Sequence, residues 1–172
     1  ELDAAIERAA IRRVVAGDWL RFTNSSVGVS IDLAANTASG FVSIANIENA
    51  AGGGFNDTII GNGVANNLIG NGGVDTIDGA GGNDTINGGT GDDELQGESG
   101  TDTLTGGEGN DSMSGGSGRD FFRFDSTDAS LGFGEDNISG PFSLGSGRDF
   151  SLANKDTLVF DVDVGFDTTS DI

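Results

Sequence analysis

The sequence lacks several residue types on which common protein functions depend. It contains no cysteine and no histidine. Without cysteine no disulfide can hold a thin core together, and without histidine neither a Ser-His-Asp triad nor an HExxH zinc site can be built from this chain. Basic residues are scarce: 8 Lys and Arg stand against 28 Asp and Glu, a formal net charge of −20. This balance argues against nucleic acid or an anionic membrane as a partner and favours cations.

Other catalytic and targeting signals are missing as well. No G-x-S-x-G nucleophile motif is present, and no apolar run approaches the length of a membrane span. The first 15 residues are too charged to form a cleaved secretory signal. We therefore expect no catalytic site and no membrane span. A length of 172 residues suits one domain. Because the sequence starts at Glu1 rather than Met, we expect it to be a fragment of a longer protein.

Glycine, in contrast, is abundant and recurs with a fixed period. From Gly52 to Arg123 the sequence divides into eight units of nine residues: GGGFNDTII, GNGVANNLI, GNGGVDTID, GAGGNDTIN, GGTGDDELQ, GESGTDTLT, GGEGNDSMS and GGSGRDFFR. We call the nine positions of a unit places one to nine. Place one is always glycine, place four is glycine in six units, and place eight is always apolar. Place six carries Asp57, Asn66, Asp75, Asp84, Asp93, Asp102, Asp111 and Asp120. These columns identify a repeat architecture.

Each column has a physical cause. Glycine at places one, two and four permits positive φ and close backbone approach, so the first six residues form a tight loop. The last three residues favour a short strand in which place eight points inward while places seven and nine face water. Such a strand cannot bury itself, so two units per 18-residue turn must stack as two facing parallel sheets. One sheet receives Ile59, Ile77, Leu95 and Met113, and the other receives Leu68, Ile86, Leu104 and Phe122.

Stacking also aligns the place-six side chains. Successive turns bring their carboxylates about 4.8 Å apart along each loop edge. We expect them to form an open column that repels itself unless cations intervene. Carboxylate and carbonyl oxygens, with no Cys or His, suit a hard ion such as calcium. The eight place-six residues are therefore candidate metal ligands.

The units resemble the RTX, or haemolysin-type calcium-binding, nonapeptide G-G-x-G-x-D-x-U-x. The resemblance covers 72 of the 172 residues. It implies an all-β, right-handed parallel β-roll, in which Ca²⁺ lies between one loop and the loop one turn further on. The ligands would be place-six side chains and loop carbonyls. Family members are exported bacterial toxins, serralysin-type proteases, lipases, alginate epimerases and adhesins. The resemblance therefore implies an extracellular location and export through a type I secretion channel.

Applied to this sequence, the resemblance predicts about five to six calcium ions. The Asn66 position offers one carboxylate fewer, and Phe55 occupies a glycine place in the Asp57 loop. We expect the site at Asn66 to be the weakest or empty, and the site at Asp57 to be compromised. The bridged pairs would be Asp57/Asp75, Asp75/Asp93 and Asp93/Asp111 on one edge, and Asn66/Asp84, Asp84/Asp102 and Asp102/Asp120 on the other.

The repeats occupy residues 52–123, and the segments on either side of them are expected to cap the roll. Residues 1–16 have apolar residues at helical spacing and predict a short helix or linker. Residues 17–51 predict a β-rich flank of parallel coils that begins the roll. Residues 124–172 are rich in phenylalanine and predict an aromatic cap. The strand candidates outside the repeats are 19–22, 27–33, 40–44, 46–49 and 155–162.

Together these features predict a calcium-binding β-roll module of a secreted protein that is not itself an enzyme. It would stay unfolded in a calcium-poor cytosol, fold on calcium binding after export, and stabilise or present an adjoining domain. Two alternatives remain open. The chain is the C-terminal part of an exported metalloprotease, lipase or alginate epimerase, or it is a glycan-binding or spacer module of an adhesin.

Overall fold

The structure is a computed structural model that describes residues 17–41 and 43–124 and four short strands beyond them. Every regular element in this part of the chain is a β-strand, so the predicted all-β class is confirmed. The helix predicted for residues 1–16 lies outside the described residues. The flank contributes four strands: β1 (Trp19–Arg21), β2 (Ser30–Asp32), β3 (Thr37–Ala38) and β4 (Asn49–Ala51).

The repeats form a regular series of strands joined by glycine-rich loops. Each nonapeptide contributes one strand that contains its place-eight residue, and the loops at 97–102 and 115–120 each contain an additional short strand. The series is β5 (Thr58–Asn62), β6 (Asn67–Gly72), β7 (Thr76–Ala80), β8 (Thr85–Thr90), β9 (Glu94–Gln96), β10 (Ser99–Gly100), β11 (Thr103–Glu108), β12 (Ser112–Ser114), β13 (Ser117–Gly118) and β14 (Phe121–Phe124). The strands beyond it are β15 (Asn137–Ser139), β16 (Phe142–Leu144), β17 (Phe150–Leu152) and β18 (Thr157–Phe160).

Two seven-stranded sheets enclose the core. The first has the order β1-β4-β6-β8-β11-β14-β18, and the second has the order β15-β12-β9-β7-β5-β2-β3. Within the repeats every pairing is parallel and joins residues 18 positions apart, as Leu68 pairs with Ile86 and Ile86 with Leu104. The parallel β-roll and the division of the units between two sheets are confirmed.

The core is the single column of place-eight side chains contributed by each sheet. All eight are at most 1 % exposed, from Ile59 to Phe122. No side chain at place seven or place nine of the repeats is buried. The predicted orientation of the strands is therefore confirmed. Because the core is one residue thick on each side, its stability depends on continuous stacking from turn to turn.

The flank before the repeats begins the roll, as expected, but one part of it differs. β4 pairs in parallel with β6, and Ala50 continues the core column. β3, however, is antiparallel to β2, so it is a hairpin and not a parallel coil. Asn36 permits the tight reversal because it adopts φ of 59°. The strand predicted at 40–44 is wrong for its described residues: Phe41 instead packs edge-to-face on Phe22, with ring centroids 5.8 Å apart.

The strands after the repeats extend both sheets. β15 pairs in parallel with β12, and β18 pairs in parallel with β14. The strand predicted at 155–162 is confirmed for Thr157–Phe160. β16 and β17 form an antiparallel pair of their own. Additional strands therefore continue the roll past the last nonapeptide, while the proposed domain boundaries stay predictions.

Candidate metal-binding loops

The loops between strands lie along two edges of the roll. The first edge consists of the loops at 52–57, 70–75, 88–93 and 106–111. The second edge consists of the loops at 61–66, 79–84, 97–102 and 115–120. Each loop ends at a place-six residue, so the eight predicted ligands form two columns of four. We number the turns of the roll from one, 52–69, to four, 106–123.

The place-six side chains are buried, which corrects the expected open column. All eight are at most 4 % exposed. The reason lies in place one, where glycine leaves room for the carboxylate to fold back over its own loop. A Cβ on Gly79, for example, would lie 2.5 Å from Oδ2 of Asp84. No larger residue fits there, which gives the invariant glycine a second role beyond backbone freedom.

One oxygen of each aspartate from Asp75 onward already bridges two turns. Its Oδ1 accepts a hydrogen bond from the backbone N–H of the place-six residue one turn earlier. The donor–acceptor pairs are Asp57–Asp75 at 2.7 Å, Asn66–Asp84, Asp75–Asp93 and Asp84–Asp102 at 2.8 Å, Asp93–Asp111 at 2.9 Å and Asp102–Asp120 at 3.0 Å. The expectation that only cations bridge these columns was therefore incomplete, because the backbone also bridges them.

The second oxygen is the chemically distinctive feature of the central loops. Within the described residues, Oδ2 of Asp75, Asp84, Asp93 and Asp102 is buried and has no hydrogen-bond partner. An unsatisfied buried carboxylate oxygen is costly, so these atoms are candidate ligands for a cation. A backbone carbonyl lies nearby. The position that a Cβ on Gly79 would occupy is 2.5 Å from Asp84 Oδ2 and 3.0 Å from the carbonyl oxygen of Gly97, one turn further on.

Burial also changes the protonation of these groups. Desolvation raises the pKa of Asp84 and of Asp93 from 3.8 to about 7. The same cause raises the pKa of Asp75 and of Asp102 to about 6. The backbone hydrogen bond opposes this rise, and the charges of neighbouring carboxylates add to it. The charged form is thus disfavoured near neutral pH unless a positive charge accompanies it.

The residues present suit a hard cation. In the part of the chain that the structure describes, no cluster of three or more acidic side chains could hold a metal ion by itself. Ligands must therefore combine carboxylate oxygens with backbone carbonyls such as that of Gly97. An all-oxygen set of this kind is typical of calcium, whereas zinc and copper prefer nitrogen or sulfur. When bound, the ion would supply the positive charge that the buried Oδ2 atoms lack.

The first turn differs from this pattern because protein groups satisfy its place-six side chains. Asp57 accepts hydrogen bonds from the backbone N–H of Val29 at 2.7 Å and of Gly53 at 2.6 Å. Asn66 Oδ1 accepts from Asn62 N–H at 2.8 Å, and its Nδ2 donates to the carbonyl oxygen of Glu48 at 2.7 Å. The Asn66 Nδ2–H group therefore binds a backbone carbonyl oxygen of the type that is a candidate cation ligand in the later turns.

The sequence interpretation missed one acidic residue of the second edge. Residues 43–51 form a degenerate ninth unit in register with 61–69, since Ala50 pairs with Leu68. Its place six is Glu48, whose Oε2 accepts a hydrogen bond from Gly17 N–H at 2.8 Å. The signal available was the 18-residue spacing from Asn66, but the unit has no glycine at places one or four.

Fold and loops together define a calcium-binding β-roll. The family model described as RTX calcium-binding nonapeptide repeat matches residues 51–86 and 87–122, with four copies in each match. Residues 51–122 are therefore RTX repeats, and the predicted resemblance is confirmed. This repeat family is a structural calcium-binding module and not a catalytic one. No curated protein matches the chain. In the part of the chain that the structure describes, no helix has the length and apolar character that a membrane span requires.

Proposed function

We propose that this chain is the calcium-responsive module of a secreted protein. It folds when it binds calcium outside the cell and then stabilises or presents an adjoining domain. The observation that carries the proposal is the set of buried, unpartnered Oδ2 atoms in turns two and three. Without a cation the folded chain must bury unsatisfied carboxylate oxygens, so calcium and folding are linked.

The proposed ligands are the place-six side chains together with loop carbonyls. Each central aspartate offers Oδ2, while its Oδ1 holds the adjacent turn through a backbone N–H. On the first edge Asp75 and Asp93 contribute in this way, and on the second edge Asp84 and Asp102. Of the about five to six sites proposed, the site at Asn66 is empty and the site at Asp57 is the weakest, because protein hydrogen bonds already occupy these side chains.

The free energy that calcium binding contributes to folding is large enough for a folding switch. With a Kd near 0.1 mM and calcium tenfold higher, each site contributes about 1.4 kcal/mol. Four central sites then contribute roughly 6 kcal/mol, which is comparable to the stability of a whole domain. The chain has few other sources of stability, since it has no cysteine to form disulfides and its net charge of −20 opposes compaction. Calcium binding thus decides whether the roll is folded.

This linkage and the family both support the proposed secreted location. RTX repeats are typical of secreted bacterial proteins. A chain that stays unfolded where calcium is scarce passes a type I secretion channel as an extended polypeptide, and millimolar calcium outside drives it to fold. The adjoining domains define the two open alternatives. A hydrolase or zinc-protease motif upstream of Glu1 in the gene favours the exported enzyme, and tandem adhesive domains favour the adhesin.

Circular dichroism tests the proposed switch. We expect a disordered spectrum in EDTA at pH 8 and a β spectrum in millimolar Ca²⁺. Magnesium is the matched control and should substitute poorly, because it requires a small octahedral shell and releases water reluctantly. A full β spectrum in chelator would overturn the proposal, as would an equal response to both metals.

A further inference from the structure

The place-five side chains, which precede the place-six ligands, make a second set of contacts between turns. Asn56 Oδ1 accepts a hydrogen bond from Val74 N–H at 3.0 Å. Asn83 Oδ1 accepts from Thr101 N–H at 2.9 Å. Asp92 Oδ1 accepts from the N–H of Asn110 at 2.9 Å. All three contacts join residues 18 positions apart, so each links a loop to the loop directly above it.

These contacts are distributed with one at each junction of the four-turn stack. Asn56 joins turns one and two on the first edge. Asn83 joins turns two and three on the second edge. Asp92 joins turns three and four on the first edge, where the side-chain Nδ2 of Asn110 also donates to it at 3.2 Å. Every junction between repeats therefore has one place-five contact, and the contacts alternate between the two edges.

The direction of each contact complements that of the place-six contact beside it. At the central junction, Thr101 N–H donates down to Asn83, while Asp84 N–H donates up to Asp102 Oδ1 at 2.8 Å. Each loop thus accepts at one residue and donates at the next. Two neighbouring hydrogen bonds of opposite direction fix both the separation and the tilt of the loops, which a single bond cannot do. Asp84, whose Oδ2 is buried without a partner, directly follows Asn83 in this loop.

We propose that Asn56, Asn83 and Asp92 are positioning residues for calcium binding. They touch no proposed ion; they hold two successive loops at the spacing that lets the carboxylate of one turn and the carbonyl of the next face a common ion. Because each joins consecutive turns, they also couple binding at one turn to binding at the next. This inference rests on the proposed calcium-driven folding and assigns to place five a role in its affinity and cooperativity.

The test is a calcium titration of Asn83→Ala followed by circular dichroism, with midpoint and Hill slope measured together. Loss of one hydrogen bond should raise the midpoint about threefold. The slope should fall, because the central junction couples the two halves of the stack. Thr101→Ala is the matched control: it removes the side chain of the same column but keeps the backbone N–H donor, and its titration should match that of the wild type.

A second control separates positioning from general stability. Ile86→Val weakens the core of the same turn without touching place five, so it should raise the midpoint and leave the slope unchanged. Val74→Asn is the converse variant, since it brings an acceptor opposite the N–H of Asp92 at the central junction, and it should lower the midpoint. The inference is overturned if Asn83→Ala keeps the wild-type slope, or if Val74→Asn leaves the midpoint unchanged or raises it. A wild-type chain without any calcium transition overturns the proposed function as well.

Discussion

The first turn of repeats and the two turns above it share a backbone but differ in how their place-six groups are satisfied. In turn one, Asp57 receives two backbone N–H donors, and Asn66 uses both ends of its amide. In turns two and three, the corresponding aspartates keep one oxygen buried without a partner. We therefore call turn one the closed region, because protein groups satisfy its place-six side chains. We call turns two and three the open region, because one oxygen of each place-six aspartate has no protein partner.

Under the proposed calcium-driven folding, this difference lets the roll begin without metal and continue with it. A stack that depended on calcium in every loop would have to form its first turn from an unfavourable, highly charged chain. Here the flank supplies the donors and acceptors instead: Val29 N–H for Asp57 and the Glu48 carbonyl for Asn66. Terminal repeats of a solenoid are atypical because they must close the structure on one side.

The largest effect should come from what both regions share, the place-eight core. Ile59→Asp in turn one and Ile86→Asp in turn two each bury an unpaired charge, which costs several kcal/mol. Both should abolish the calcium-induced β spectrum. Thr85→Asp, one residue from Ile86 but exposed, should change the free energy of unfolding little. If Thr85→Asp and Ile86→Asp were equally damaging, the assignment of inside and outside would be wrong.

A smaller effect separates the two regions. Asp93→Ala removes a side chain that serves two proposed ions, so calcium-saturated unfolding should lose about 3 kcal/mol, two contributions of about 1.4 kcal/mol each. The calcium midpoint should rise strongly. Asp57→Ala removes hydrogen bonds but no unpartnered oxygen, so it should shift the midpoint much less.

The measurement is a calcium titration of both variants with denaturant unfolding at saturating calcium. Asp120→Ala, at the last turn of the repeats, borders one proposed ion and should fall between the two. Indistinguishable midpoints for Asp93→Ala and Asp57→Ala would contradict the division of the roll into a closed and an open region.

The Asn66→Asp variant gives a sharper comparison, because it converts a place-six residue of the closed first turn to the aspartate found in the open turns. Asn66→Asp removes the Nδ2 donor and leaves a carboxylate facing the Glu48 carbonyl, which should cost about 1–3 kcal/mol without calcium. With calcium, the variant should bind one more ion than the wild type. Calorimetric stoichiometry measures this gain, and Asn67→Asp at the neighbouring place seven is the control. An unchanged stoichiometry for Asn66→Asp would show that place six does not determine where ions bind.

The smallest effect is a pH dependence that only the open region should show. Burial raises the pKa of Asp84 and Asp93 to about 7, against about 3.9 in an unfolded chain. Between about pH 4 and 7 the folded, calcium-free roll thus binds more protons than the unfolded chain, so lowering the pH through this window favours folding and raising it opposes folding. Asn66 does not titrate and should contribute nothing.

Circular dichroism of calcium-stripped protein checks this sign. We expect more β structure at pH 5 than at pH 8, and a weaker pH response in Asp93→Asn, which keeps the Oδ1 acceptor but cannot be charged. Less β structure at pH 5 than at pH 8 would mean that the buried carboxylates do not control the folding of the calcium-free chain.

Much of the fold could be predicted from the sequence because its period is visible in four columns. Glycine at place one and an apolar residue at place eight specify loop and strand, and the 18-residue stacking follows from them. The column of Leu68, Ile86 and Leu104 is therefore found where expected. The hairpin of β2 and β3 could not be predicted, since it depends on one left-handed residue, Asn36, and not on a repeated pattern.

The candidate site was predicted in its residues but not in its environment. Spacing identifies which place-six side chains share an edge, but it does not show that place-one glycines let them fold inward. Nor does it show that a backbone N–H takes one oxygen of Asp84 and leaves the other without a partner. The exposed place-five contacts were missed for a similar reason: Asn83 and Asp92 belong to a column that also holds Val74 and Thr101, so no composition rule marks it.

A calcium-loaded crystal structure with anomalous diffraction tests the central claim most directly. It locates each ion relative to the closed first turn and the open turns above it. We predict ions contacting Oδ2 of Asp75, Asp84, Asp93 and Asp102, together with loop carbonyls such as that of Gly97, and none contacting Asn66. Ions at Asn66, or Oδ2 atoms of Asp84 and Asp93 that remain free of calcium, would contradict the account.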